Sequence, residues 1–304
     1  MNPGYDKPLY ILAFDHRTSF QTKLFGIEGT PTPAESERIR EAKRIILDGL
    51  LVAAESAPAG TVGALIDEEN GAAVAREAKR LGLPFAISAE TSSVPEFDFV
   101  YGEDFATHIE AFEPDFVKIL ARYNPEGDRE LNRRQAERLA RLSDYLAPRT
   151  TKYLFELLVP PEPHQLASLE SDSERYAIEL RPQLAAAAIA ELQEAGVEPD
   201  IWKVEGLDSA EDCRLVADAA RAGGRDDVAC VVLGAGADGA TVAHWLRQAA
   251  TVDGFVGFAI GRTIFWDALK GWLAGDTDRE TAVETIAENY RSTIDLYESA
   301  TATA

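Results

Sequence analysis

Lys203 stands in the apolar run Ile201-Trp202-Lys203-Val204, and Lys118 stands in another, Phe116-Val117-Lys118-Ile119-Leu120. A charged amine among apolar side chains is unfavourable unless it is paired or gives up its proton. Desolvation, or a second cation nearby, lowers the proton affinity of an ammonium and frees the amine to attack a carbonyl carbon, which is how a Schiff-base lysine arises. A plainer reading is a buried lysine neutralised by Glu156 or Glu205 as an interior ion pair. Two lysines and one glutamate on three neighbouring segments favour chemistry. Glu156, in Phe155-Glu156-Leu157-Leu158, gains proton affinity from burial unless a lysine offsets it, and either state suits proton transfer. The same carboxylate would also serve simply to neutralise Lys118 or Lys203. Asp15, in Asp15-His16-Arg17, is a base or an orienting acceptor for Arg17, and Glu90 closes a further apolar run.

Two glycine-containing stretches suggest a place for an anion. Gly234-Ala235-Gly236 and Gly261-Arg262-Thr263 both follow apolar runs and lead into helical patterns, so their backbone N–H groups would point at a ligand from helix N-termini. Glycines alone are weak grounds, since tight turns need them anyway. Arg262 strengthens the reading, because its guanidinium is the bidentate cation that an acidic protein needs to hold a phosphate. No metal and no other cofactor is expected. His16, His108, His164 and His244 are scattered, with neither H-x-H nor H-x-x-x-H spacing. The remaining metal alternative is a divalent ion that His16 shares with Asp67 or Glu90. His108 and His244 fall on helical patterns as surface or interhelix residues.

These side chains must be carried by regular elements. Short, near-continuous apolar runs predict strands over 9–14, 62–66, 84–88, 116–120, 153–159, 201–204, 228–233 and 255–260, the pattern of a parallel sheet covered on both faces. Amphipathic segments predict helices over 34–55, 71–81, 104–112, 129–146, 181–195, 210–222, 237–250 and 262–274, with a final charged helix over 278–299. Thr32-Pro33 and Ser209 read as helix starts, and Gly82, Gly196 and Gly223 as helix ends. The segment 160–176 reads as a long loop after the fifth strand. Eight strand–helix units with no linker between them predict an α/β fold, a single (β/α)8 TIM barrel over 1–304 with an extra C-terminal helix and a polar tail from about 300. In such a barrel the strand ends that carry Asp15, Glu90, Lys118, Glu156 and Lys203 converge on one mouth.

Composition narrows the partners. The 304 residues are 46% hydrophobic, enough for a large core, and Asp plus Glu number 52 against 30 Lys plus Arg, a formal net charge of −22. Such a surface repels nucleic acid and anionic lipid. The two cysteines, Cys213 and Cys230, are too few for a disulfide framework. Residues 1–8 show no basic stretch leading into an apolar run, and no stretch approaches the roughly 18 apolar residues of a membrane span. A cytoplasmic protein acting on a small molecule, with homo-oligomerisation left open, fits these features.

The blocks Leu9-Tyr10-Ile11-Leu12-Ala13-Phe14-Asp15-His16-Arg17, Val117-Lys118-Ile119-Leu120-Ala121-Arg122-Tyr123-Asn124-Pro125, Phe155-Glu156-Leu157-Leu158-Val159-Pro160, Asp200-Ile201-Trp202-Lys203-Val204-Glu205-Gly206 and Ile260-Gly261-Arg262-Thr263-Ile264-Phe265-Trp266 resemble the 2-deoxy-5-keto-D-gluconate 6-phosphate aldolase domain of myo-inositol catabolism. More distantly the chain resembles class I tagatose 1,6-bisphosphate aldolases. The resemblance implies a Schiff-base lysine at Lys203, a second lysine at Lys118, acid/base carboxylates at Asp15 and Glu156, and a phosphate arginine at Arg262. Arg17, Glu90, Gly234, Gly236 and Gly261, at the same strand ends and turns, are expected to contact the substrate or its phosphate. Two positions depart from the inositol-pathway pattern: Thr91 stands where that domain has a lysine, and Ala235 where it has an arginine. The expected activity is a class I aldolase, a lyase, splitting 2-deoxy-5-keto-D-gluconate 6-phosphate into dihydroxyacetone phosphate and malonate semialdehyde. The alternatives are a diverged aldolase for another ketose and a non-catalytic sugar-phosphate-binding barrel.

Overall fold

The apolar runs become strands because a parallel strand with helices on one side and its own barrel on the other has no wet face. The computed structural model describes residues 3–303. The chain runs through β1 (Leu9–Ala13), α1 (Thr18–Phe25), α2 (Pro33–Ala54), β2 (Val62–Ile66), α3 (Glu68–Leu81), β3 (Phe85–Ser88), α4 (Phe105–Phe112), β4 (Phe116–Arg122) and α5 (Arg129–Leu146). It continues through β5 (Lys152–Leu158), α6 (Pro163–Ser168), α7 (Ser173–Arg175), α8 (Arg181–Glu194), β6 (Ile201–Glu205), α9 (Ala210–Arg221), β7 (Ala229–Leu233), α10 (Gly239–Ala249), β8 (Phe255–Ile260), α11 (Arg262–Ala274) and α12 (Arg279–Thr301). The eight strands pair in sequence order and close into a barrel, β8 returning to β1 with Leu9 opposite Gly257.

Strand side chains alternate between two environments. Leu9, Ile11, Phe116, Leu154, Ile201 and Val231 form one apolar cluster within the barrel, while Tyr10, Leu12, Val117, Phe155, Trp202 and Val232 join the larger core under the helices. Helix ends follow their caps. Thr32 and Glu35 close a reciprocal capping box at α2, and Ser209 accepts from the Asp212 N–H at α9. Helix α12 lies along α2, and its Tyr290 hydroxyl donates to the Tyr10 carbonyl of β1. Gly49 on α2 permits this approach, since a Cβ there would come within 2.7 Å of Ile286.

Several boundaries differ from expectation. Strand β4 runs two residues further, to Arg122, because pairing with β5 continues through Arg122 opposite Leu158 after the apolar pattern has ended. Helix α1 was not expected; it buries only Phe20 and closes on Gly26 at φ 66°. The long loop after β5 is largely helical, with α6 opened by a Glu162–Gln165 capping box and a π-helical turn over Tyr176–Leu180 leading into α8. Helix α12 extends into the predicted polar tail, and Ala304 lies outside the described residues. No helix among the described residues is long and apolar enough to cross a membrane. Cys213 and Cys230 are buried free thiols, both pushed up to about 12 by burial.

Candidate active site

On five strands the side of the strand that is apolar near its start carries an ionisable residue further along it or just past its C-terminal end. Leu9, Ile11 and Ala13 lead to Asp15, Ala86 and Ser88 to Glu90, Phe116 to Lys118, Leu154 to Glu156, and Ile201 to Lys203 and Glu205. The strands end on one mouth, and a cavity of about 390 Å³ opens there. Asp15, Arg17, Glu90, Lys118, Glu156, Lys203, Gly234, Gly236, Gly261 and Arg262, all the residues nominated from sequence, line it.

At its floor is a chain of charges. Lys118 Nζ lies 2.8 Å from Asp15 Oδ2, 3.1 Å from Glu90 Oε1 and 2.9 Å from Glu156 Oε2. Lys203 Nζ lies 3.0 Å from the same Glu156 oxygen, and Glu156 and Lys203 are direct register partners on β5 and β6. The two buried lysines are thus unequal: Lys118 meets three carboxylates and Lys203 one. Burial alone would strip the Lys118 proton, but Asp15, Glu156 and Glu90 outweigh it and hold that ammonium well above the usual lysine range. Burial likewise opposes ionisation of Asp15 and Glu156, yet Lys118 and Lys203 overcome it and keep both carboxyls below their ordinary values. Glu90 goes the other way, raised because burial exceeds the help it receives from Lys118 and Arg17. Arg17 grips Glu90 twice, donating to its carbonyl and to Oε1, each at 2.7 Å.

The opposite wall is built from the turns after β7 and β8. Ala235 and Gly236 both adopt left-handed backbone, at φ 48° and 80°. A Cβ on Gly236 would lie 2.5 Å from the Arg262 Cζ, so the glycine provides both the turn and the room for the guanidinium. Arg262 opens α11, where free backbone N–H groups and the helix dipole favour an anion. Thr91 and Ala235, the two departures from the inositol-pathway pattern, also line the cavity.

Arg122 and Lys43 were not named from sequence as functional residues, and Glu205, named there as an alternative partner for a buried lysine, pairs instead with Arg181. Arg122, at the end of β4, lines the cavity and donates to the Val94 carbonyl at 3.0 Å, with no carboxylate partner among the described residues. Lys118, Leu120 and Arg122 share one strand face, so extending the strand by its period of two would have found it. Glu205 lines the cavity and is fixed by the Val159 N–H at 3.0 Å and by Arg181 at 3.3 Å. Lys43, on α2, is fully buried and donates to Asp67, to the Phe14 carbonyl at 2.8 Å and to the His16 carbonyl at 3.1 Å. It thereby holds the main chain on both sides of Asp15. Its signal was a lone lysine among Ile39, Ile46 and Leu50 on the buried face of a helix. Asp67 is taken up by Lys43, and Glu90 by Arg17 and Lys118. No group of three or more His, Cys, Asp or Glu among the described residues is arranged to hold a metal ion.

The closed ring of eight parallel strands with its surrounding helices defines a (β/α)8 barrel. Solved structures of similar fold include a fructose-bisphosphate aldolase from Plasmodium falciparum in complex with TRAP and a small-molecule inhibitor, at a TM-score of 0.68 and 13% identity over 96% of this chain and 91% of that one. A Schiff base forming fructose-1,6-bisphosphate aldolase aligns at a TM-score of 0.58 and 14% identity, covering 95% and 94%, and an archaeal fructose 1,6-bisphosphate aldolase at 0.58 and 16%, covering 96% and 94%. At these identities the likeness is one of fold. No curated protein matches the sequence. The chain belongs to the family described as "Uncharacterized protein conserved in bacteria (DUF2090)", whose model matches residues 3–301.

Proposed function

We propose that the protein is a class I aldolase that cleaves a ketose phosphate carrying a second anionic group, with 2-deoxy-5-keto-D-gluconate 6-phosphate as the leading substrate. The observation that carries this reading is the unequal pairing of the two buried lysines. Lys118, surrounded by three carboxylates, is a fixed cation. Lys203 has one partner, Glu156 at 3.0 Å, which is placed to accept the proton that the amine must lose before it attacks a carbonyl.

Addition of the Lys203 amine to the substrate ketone gives a carbinolamine, and loss of water gives a cationic imine. That cation withdraws the electron pair of the adjacent carbon–carbon bond as a carboxylate, Glu156 or Asp15, takes the proton of the hydroxyl beyond it. The bond breaks, the aldehyde leaves and an enamine remains on Lys203. Protonation at carbon and hydrolysis then release the second product. By this scheme the products of the leading substrate are dihydroxyacetone phosphate and malonate semialdehyde.

The charges at the rim support a doubly anionic substrate. Arg262 follows β8 and Arg122 ends β4, diametrically opposite strands of an eight-stranded barrel, and neither has a carboxylate partner among the described residues. Phosphate at Arg262 and carboxylate at Arg122 would stretch the substrate across the lysines. The experiment is borohydride reduction in the presence of dihydroxyacetone phosphate, followed by peptide mass spectrometry. The expected result is an adduct on Lys203, and loss of both adduct and turnover in Lys203→Met, whose thioether fills much of the aliphatic volume. An adduct on Lys118 would overturn the assignment of the nucleophile, and no adduct at all would overturn the imine mechanism.

A further inference from the structure

Cleavage through an imine needs one more group than the lysines and carboxylates described so far. When the aldehyde has left, a proton must reach carbon; in the reverse direction one must be removed from carbon beside the imine. Asp15 and Glu156, which serve the hydroxyl proton, are each held by lysine and kept below the ordinary carboxyl range, while Glu90 is held at Oε1 by Arg17 and Lys118 and keeps a buried Oε2 without a partner. Cations that stabilise a carboxylate also weaken it as a base.

One cavity residue has no such partner. Of the four histidines, His108 bonds to Glu68, His164 to Glu126 and His244 to the Asp208 carbonyl, each at 3.0 Å. His16 alone lines the barrel cavity, its Nδ1 is buried, and its ring takes part in no hydrogen bond with the described residues. Its position is nonetheless fixed. Lys43 holds its carbonyl at 3.1 Å, and the ring packs edge-on against Phe265 at 6.1 Å between centroids. We infer that His16 is the catalytic residue that carries the proton to and from the substrate carbon next to the Lys203 imine, an assignment that rests on the imine reading above.

The charge environment agrees. Burial, with Arg262, Lys203 and Lys43 acting in the same direction and Asp15 against them, brings the imidazole down to about 4, so at neutral pH the ring is an uncharged proton acceptor. A phosphate seated at Arg262 cancels one of the cations that depress it, so binding of the substrate strengthens the base that acts on it. The step balances. In the condensation direction the proton leaves carbon for the ring nitrogen, the C–H pair becomes the enamine double bond, and the imine nitrogen recovers its lone pair. In cleavage the proton that the carboxylate took from the hydroxyl passes through solvent water to the ring, the imidazolium delivers it to that carbon as the electrons flow back, and carboxylate and ring end as they began, ionised and uncharged.

The test is deuterium uptake. Dihydroxyacetone phosphate is incubated with the protein in D2O, and exchange at its hydroxymethyl carbon is followed by NMR while borohydride trapping is measured in parallel. Wild type is expected to trap and to exchange. His16→Asn is expected to trap on Lys203 with unchanged melting but to lose exchange by about 100-fold or more, and added imidazole is expected to restore part of the rate. His16→Gln, closer in bulk, gives the same comparison should asparagine loosen the β1 turn. Undiminished exchange in the variants overturns the assignment, as does a wild type that traps without exchanging. A wild type that neither traps nor exchanges instead removes the imine reading on which the assignment rests.

Discussion

The two ends of the barrel interior are built from the same strands and differ in almost every physical respect. At the N-terminal end Leu9, Ile11, Phe116, Leu154 and Ile201 pack as a dry cluster with nothing to titrate. Two residues further along β4, β5 and β6, a rise of roughly 7 Å, or just beyond the end of β1, the interior positions hold Lys118, Glu156, Lys203 and Asp15, also buried but all ionisable. The first end gains stability from every apolar atom that it removes from water. The second loses solvation for each charge and recovers only part of it through pairing. The barrel therefore holds its shape from one end and carries its reactive groups, in a less favourable environment, at the other.

That contrast breaks most readily at Lys118. Lys118→Met leaves Asp15, Glu90 and Glu156 facing one another without their shared cation, and removing one partner of a buried pair costs about 3–5 kcal/mol. Urea unfolding of Lys118→Met should show that loss. Lys203→Met should remain near wild type, since Glu156 still has Lys118; equal losses would erase the distinction between a structural and a reactive lysine. At the apolar end, Leu154→Ala should lower stability by about 2–5 kcal/mol while turnover per folded molecule stays unchanged. A large fall in turnover there would mean that the two ends are not separable.

The smallest effect is in acid. Asp15 and Glu156 have folded-state values below their unfolded ones, so the stability they contribute is complete above the unfolded carboxyl range of about 4 and is lost as pH falls through the folded values. Glu90, raised, acts in the opposite sense: its contribution is present below the unfolded value and disappears as pH rises through the folded one. Melting curves from about pH 6 to about pH 3 should show a net loss on the acid side that Asp15→Asn reduces and Leu154→Ala leaves intact.

The strands were legible because a covered parallel strand has to be apolar on both faces, so each stands out against amphipathic helices. Legibility ended where polarity and structure part company. Arg122 closes a strand that its apolar run does not announce, and α1 has one fully buried side chain to mark it. At the site, residue types and their strand ends could be read directly. Which lysine gathers three carboxylates and which only one could not, because that follows from the register of β4, β5 and β6 and from side-chain reach. Lys43 was missed for a related reason. Its partners lie on the turn after β1 and at the end of β2, distant in sequence from α2.

Closure of the barrel through β8 and β1 has a consequence in time. Residues 9–12 find their last sheet partners at 257–260, and at a synthesis rate of about 5–20 residues per second β1 waits roughly 12–50 s for them. Until then one side of β1 is an unpaired edge of apolar sequence, the kind of surface that joins other chains. Cells that make this protein therefore need either low concentrations of the growing chain or something to shield that edge, and slowing synthesis beyond β7 should raise aggregation more than the same delay placed after β8.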